Sequence, residues 1–344
     1  MSFDSLNVEA LVRKNSLETA VPGELVRAYE YILDIPSSNH NIRETLIEAF
    51  NEAFFHIDDS NLLKHISKTI SAFHNSSLLI DDIEDNSAFR RGFPTAHTIF
   101  GVPSTINCAN LVYFQTLEKA VKEFPLHCRL SSQQYNTSSD LGFQVLLVLS
   151  EEMLNLHHGQ GFDIYWRDNI KSSNELPSIE QYLEMVMNKT GGLFRLSVRL
   201  LSLFSSNKSS SIAAFANLLG IIYQIRDDYL NLVDPRYYEL KGHEGEDLIE
   251  GKLSLPILHC LRNSPSDSPV NKMLFGIETA SLRREDTKLL RECIGYMRER
   301  SGSLKFAQDL LNSLYMMAKE KLHGELNVGE DSLLSKTITR LCSI

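Results

Sequence analysis

Apolar residues return every three or four positions over long segments of this chain, a period that fits helices and little else. The segments ETLIEAFNEAFFHI (44–57), LLKHISKTISAFHNSSLLIDDI (62–83), SIEQYLEMVMNKTGGLFRLSVRLLSLF (178–204) and IAAFANLLGIIYQIRDDYLNL (212–232) all carry it. The apolar–polar alternation of strands is nearly absent. The expectation is an all-α fold of about ten helices in one domain. Loops announce themselves in Ser-, Asn- and Pro-rich stretches at 34–41, 129–142, 205–211 and 263–271, none long enough for an interdomain linker.

With 43% hydrophobic residues in 344, the chain can bury a large core. Its formal net charge of -10 argues against nucleic acid as a partner held by general electrostatics. The five cysteines, at 108, 128, 260, 293 and 342, are scattered, without a CxxC pair, and read as reduced thiols of a cytoplasmic protein. The first residues carry acids where a secretory signal would carry positive charge, and runs such as FQVLLVL are too short for a transmembrane segment. In the final RLCSI, Cys342 stands third from the end, so the terminus is not a prenylation box.

Two acidic clusters end apolar helices. In LLIDDIED, Asp81 and Asp85 are one turn apart on a shared face, with Asp82 turned about 100° away. In QIRDDYLN, Asp227, Asp228 and Asn231 repeat the spacing with an amide in the last place. Carboxylates held this close repel one another unless a cation intervenes, and hard oxygen ligands of this kind suit Mg²⁺ shared with phosphate oxygens. Taken alone, each cluster reads more readily as a solvated helix end. The surroundings favour a buried rim: both follow strongly apolar helices, Arg90 and Arg91 follow the first, and Lys189, Lys241 and Lys252 add cations beside apolar segments. No GxSxG, HExxH, Walker or Rossmann pattern occurs. Loss of a metal-bound diphosphate needs no side-chain nucleophile, only charge stabilisation and a dry cavity.

Five ordered motifs, HNSSLLIDDIEDNSAFRRGFPTAHTIFGVPSTIN, GQGFDIYWRDN, MVMNKTGGLFRL, QIRDDYLNL and EDLIEGKLSLP, resemble the trans-isoprenyl diphosphate synthases over roughly residues 28 to 262. Within them the likeness is to the eukaryotic, fungal-type geranylgeranyl diphosphate synthases. The resemblance implies one polyprenyl synthase domain over 1–344, with 1–25 a variable N-terminal segment, folded as a helical bundle around a deep apolar cavity. It implies several Mg²⁺ ions held by Asp81, Asp85 and Asp227, with Asp82, Asp228 and Asn231 as nearby supports. Arg90, Lys189, Lys252 and Lys241 would hold the allylic diphosphate. Thr190 and Gln224 would direct oxygens at the cationic carbon. Arg43, His74 and Arg91 would hold isopentenyl diphosphate. A homodimer is implied as well. Without the motifs, His74, Thr190 and Gln224 would read as ordinary buried hydrogen-bonding residues. Of His157 and His158, the first is expected to pack and the second to face solvent, because adjacent helical residues diverge by about 100°.

The family's GKxxR loop is altered here to IPSSNHNIR, which puts Asn39 and His40 in the Gly-Lys places. A histidine has a reference pKa of about 6.5, so the charge on isopentenyl diphosphate becomes conditional. The expected outcome is a weak KM for isopentenyl diphosphate that improves as pH falls toward that value. An unchanged KM in His40→Lys at neutral pH would contradict it. Ser76 and Ser77, one turn before Asp81, leave room for a growing chain, with Leu111 and His157 as floor candidates, so mainly C20 product with some longer chains is expected. Two rivals remain: a weakly active regulatory subunit, suggested by the altered loop, and a class I terpene cyclase, which the spacing of DDYLN disfavours.

Overall fold

The long periodic segments are largely helical in a computed structural model that describes residues 12, 22–36, 42–127, 138–172, 175–236 and 244–342, with the side chains of Arg43 and Ser138 left aside. After a short 3₁₀ turn come α1 (Arg27–Asp34), α2 (Ile42–Phe50) and α3 (Ser60–Glu84). Asp59 starts α3 by accepting hydrogen bonds from the amides of Asn61 and Leu62, which satisfies two of the unpaired donors at a helix start. A hairpin, β1 (Phe89–Arg90) and β2 (Phe93–Pro94), then pairs antiparallel. Its turn residues Arg91 and Gly92 have φ of 55° and 81°, the left-handed pair that a two-residue hairpin turn requires.

Next are α4 (Ala96–Phe100), α5 (Val102–Glu123) and α6 (Ser138–Asn169), followed by α7 (Ile179–Lys189), α8 (Gly191–Leu203) and α9 (Ser210–Val233). A capping box of Ser178 and Gln181 opens α7. The C-terminal part comprises α10 (Glu246–Glu250), α11 (Leu255–Asn263), α12 (Pro269–Asn271), α13 (Ala280–Glu285), α14 (Thr287–Glu299), α15 (Ser303–Glu320) and α16 (Leu333–Cys342). The fold is all-α, as expected, but sixteen α-helices replace the expected ten or so among the described residues. Several of the additional ones span three to six residues, too short for a 3.6-residue period to register.

The main core joins α2, α3 and α5 through α9, with Phe50, Phe73, Tyr182 and Phe215 almost fully buried. Burying one such aromatic contributes about 2–3 kcal/mol. A second cluster packs α10, α11 and α14 around Leu248, Ile257 and Met297, and Trp166, Leu176 and Tyr229 touch both clusters. Two glycines let backbones approach closely. A Cβ on Gly159 of α6 would stand 2.3 Å from the amide nitrogen of Lys189, and one on Gly220 of α9 would stand 2.5 Å from the Cα of Gly191. The ends of α7 and α8 are thereby drawn toward α6 and α9. Among the described residues no helix is long and apolar enough to cross a membrane.

Candidate active site

A cavity of about 960 Å³ runs between α2, α3, α6, α8 and α9. That is the upper end of the range for small-molecule sites. Leu46, Phe50, Ile70, Tyr113, Leu193 and Phe194 make its apolar interior, while Asp81, Asp85, Arg90, Arg91, Lys189, Asp227 and Lys252 line its charged end. One cavity therefore offers an oily interior and a polyionic rim.

At the first acidic motif each aspartate meets a cation of the protein. Arg90 Nε donates to Asp82 at 2.7 Å and its Nη2 to Asp81 at 3.1 Å, while Arg167 Nη1 donates to Asp85. Gln160 donates to Glu84 at 2.7 Å and to Asp81 at 3.2 Å. Burial raises the Asp82 carboxyl to about 6 despite Arg90. Burial, then repulsion from Asp81, raises Asp85 as well. Lys189 lies 2.6 Å from Asp163 and 3.9 Å from Asp81. Burial opposes its charge, but Asp163 and Asp81 outweigh burial and hold the ammonium charged at any ordinary pH.

The second motif is tied down from beneath. Asp228 is buried, accepts from Tyr182 Oη at 2.5 Å and from the Leu255 amide at 2.8 Å, and burial raises its pKa. Gln224 donates to Asp228 at 2.8 Å and accepts from Thr190 Oγ1 at 2.5 Å. Asn231 accepts from the Asp247 amide at 3.1 Å, which joins α9 to α10. Lys252 Nζ stands 3.9 Å from both Asp228 and Asp247. Asp227, one residue before the buried Asp228, lines the cavity. The two motifs thus share a mouth crowded with acceptors and rigid cations, an arrangement suited to holding a polyanion against an apolar chamber.

Residues 22–294 match the polyprenyl synthetase family. Relatives agree over most of the chain: a geranylgeranyl pyrophosphate synthase of Apiospora sacchari is 42% identical over 85% of this chain and 78% of its own length. One from Eremothecium gossypii is 39% identical over 92% of this chain and 93% of its own, and one from Dictyostelium discoideum 38% over the same shares. The chain belongs to the polyprenyl synthetase family. It is accordingly a prenyltransferase, an enzyme that condenses isopentenyl diphosphate with an allylic diphosphate.

Against that membership, the structure gathers most of the expected site residues on one cavity and moves others off it. Asp81, Asp85, Asp227, Arg90, Arg91, His74, Lys189, Thr190, Gln224 and Lys252 all line the cavity. Asp82, Asp228 and Asn231 lie behind that surface, buried, each hydrogen-bonded to a neighbouring element. His40 and Lys241 lie outside the described residues, as does the Arg43 side chain. Two expectations on chain length, and one on packing, need correction. Ser77 lines the cavity, but Ser76, a residue earlier on α3, is fully buried on another face. Leu111 is not among the lining residues, whereas Tyr113, two places on along α5, lines the cavity and stacks on Phe73 at 5.9 Å. Two residues on a helix differ by about 200°, which separates Leu111 from that wall. His157 lines the cavity as a floor residue should, yet it is exposed rather than packed, and its Nδ1 lies 2.7 Å from the Met153 carbonyl.

Gln160, Asp163 and Arg167 were missed. They stand at i, i+3 and i+7 within GQGFDIYWRDN, one face of a helix, and that polar stripe was a readable signal. Tyr182, the buried partner of Asp228, carried no such mark.

Proposed function

We propose that this enzyme makes geranylgeranyl diphosphate from isopentenyl diphosphate and farnesyl diphosphate, with Mg²⁺, as one synthase domain over residues 1–344 that works as a cytoplasmic homodimer. The observation that carries the reading is one cavity of about 960 Å³, apolar within and rimmed by both aspartate motifs and by the cations Arg90, Arg91, Lys189, Lys252 and Arg284. Lys189, Lys252 and Arg90 would hold the allylic diphosphate, and Arg43, His74 and Arg91 the isopentenyl diphosphate. The allylic C–O bond breaks and its electron pair leaves with the diphosphate. The isopentenyl double bond attacks the cationic carbon, and a proton passes to the released diphosphate. The apolar walls keep water from the cation, and the oxygens of Thr190 and Gln224, already oriented by their mutual hydrogen bond, face it across the chamber.

The carboxylates suit Mg²⁺ by their chemistry. Asp81, Asp85 and Asp227 are acceptor-only oxygens, and burial, then repulsion from Asp81, disfavours the charge on Asp85, a cost that a divalent cation would offset. Among the described residues no three metal-binding side chains form a ready cluster, so the remaining ligands would be diphosphate oxygens and water. The ion would supply charge neutralisation on the leaving diphosphate.

For the dimer, support comes from the outer face of α5 and α6. Phe114, Phe143, Phe162 and Tyr165 are 70%, 56%, 52% and 56% exposed, and Leu154, Ile106 and Val102 are exposed on the same two helices. At about 200 Å² per aromatic side chain, the four rings alone present roughly 450 Å². These aliphatic residues bring the exposed apolar area toward the roughly 800 Å² per partner of a standard interface.

The decisive test is incubation of purified protein with Mg²⁺, isopentenyl diphosphate and each of the C5, C10 and C15 allylic diphosphates, with chain-length analysis of dephosphorylated products. C20 formation from the C15 substrate is expected. A C15 ceiling would overturn the product assignment.

A further inference from the structure

We propose that Arg283 is a positioning residue that fixes Lys252 at the cavity mouth by clamping the C-terminal end of α10. The inference rests on the reading of Lys252 as a diphosphate ligand. Arg283 itself lies beyond the stretch that carries the family motifs.

Arg283 is 7% exposed, and its three acceptors are all backbone carbonyls: Ile249 at 2.7 Å, Glu250 at 3.0 Å and Ile277 at 3.3 Å. A buried guanidinium without a carboxylate is expensive, and burial lowers its pKa. It is stabilised here because Ile249 and Glu250 are the last residues of a helix, whose carbonyls lack partners and carry the negative end of the dipole.

The next two residues show what the clamp holds. Gly251 has φ of 84°, and the amides of Gly251 and Lys252 both donate to the Asp247 carbonyl, at 3.0 and 2.9 Å. A Cβ on Gly251 would lie 3.1 Å from Arg283 Nη2, so the guanidinium occupies the space that any side chain at 251 would need. From this locked turn Lys252 reaches the cavity. Arg284 secures the other end of α10 by donating to Glu246 at 2.7 Å. A five-residue helix has little stability of its own, so α13 supplies the rigidity that α10 lacks.

The test compares Arg283→Met, Arg283→Lys, Gly251→Ala and Lys252→Met with the parent enzyme. It uses steady-state kinetics in both substrates, calorimetric binding of farnesyl diphosphate, and Tm. The expected result is an increase of about tenfold or more in KM and Kd for farnesyl diphosphate in all four variants, with KM for isopentenyl diphosphate within about twofold. Lys does not rescue, because one ammonium cannot span three carbonyls in the planar geometry of a guanidinium. Should Arg283→Met fail to fold, Gly251→Ala disturbs the same turn from the other side and decides the matter alone. Equal loss for both substrates, or no loss, in the Arg283 and Gly251 variants while Lys252→Met weakens farnesyl diphosphate alone would overturn the clamp and leave the Lys252 assignment standing. Undiminished farnesyl diphosphate binding in Lys252→Met would overturn that assignment and the clamp with it.

Discussion

Ser76 and Ser77 are adjacent, equally small and opposite in consequence. Ser77 faces the cavity one turn below Asp81, whereas Ser76 is fully buried and its Oγ has no partner among the described protein atoms. Ser77→Phe should block the path along α3 and shift product from C20 toward C15 with little change in Tm. Ser76→Phe should instead leave product length alone and cost about 1–3 kcal/mol by overpacking, visible in urea unfolding. The sequence placed both serines before the acidic motif, but side-chain direction on a helix is known only once its neighbours are placed. The same limit hid the partner of Arg167, Asp85, which lies 82 residues away. Most of the charged residues that touch the cavity were legible because they sit inside ordered motifs, although Gln160 was passed over within one of them. Those that hold them were not, because Tyr182 and Arg283 act through tertiary contacts without a local pattern.

At the level of elements, helix starts and close approaches carry the testable content. The Leu62 amide, followed by His127, lowers the pKa of Asp59 at the start of α3. A depressed acid stabilises the fold above its unfolded pKa of about 3.9, and that contribution disappears as pH falls through the lower folded value. Asp59→Ala should therefore lose about 1 kcal/mol at pH 7 and progressively less on acidification below pH 4, measured by urea unfolding across pH. Gly159→Ala tests the approach of α6 to α7. Its new methyl would meet the backbone of Lys189, so a cost of about 1–3 kcal/mol and a raised KM for the allylic substrate should appear together. The helices α2, α3 and α7 to α9 were legible from their period, whereas α5 and α6 were not singled out. The expected loop at 129–142 overlaps the start of α6 at Ser138, and the short helices after residue 244 left no such mark.

For the whole molecule, the proposed homodimer would cover the exposed apolar side chains of α5 and α6. Phe114→Glu with Leu154→Glu should give a monomer by sedimentation at micromolar concentration, while the parent remains a dimer. The all-α class and the location of both acidic motifs at helix ends followed from the chain alone, but the exposure of these side chains did not, since a surface exists only when the helices are packed. The mouth of the cavity has a further consequence. Its carboxylates already face Arg90, Arg167, Lys189 and Lys252 in a chain of net charge -10. At long range a chain of net negative charge repels an arriving diphosphate, so the attraction it meets is the short-range one of these cations. Dissolved ions that screen the chain's overall charge ease its arrival, and the selectivity of the mouth lies in which of these partnerships the newcomer can break.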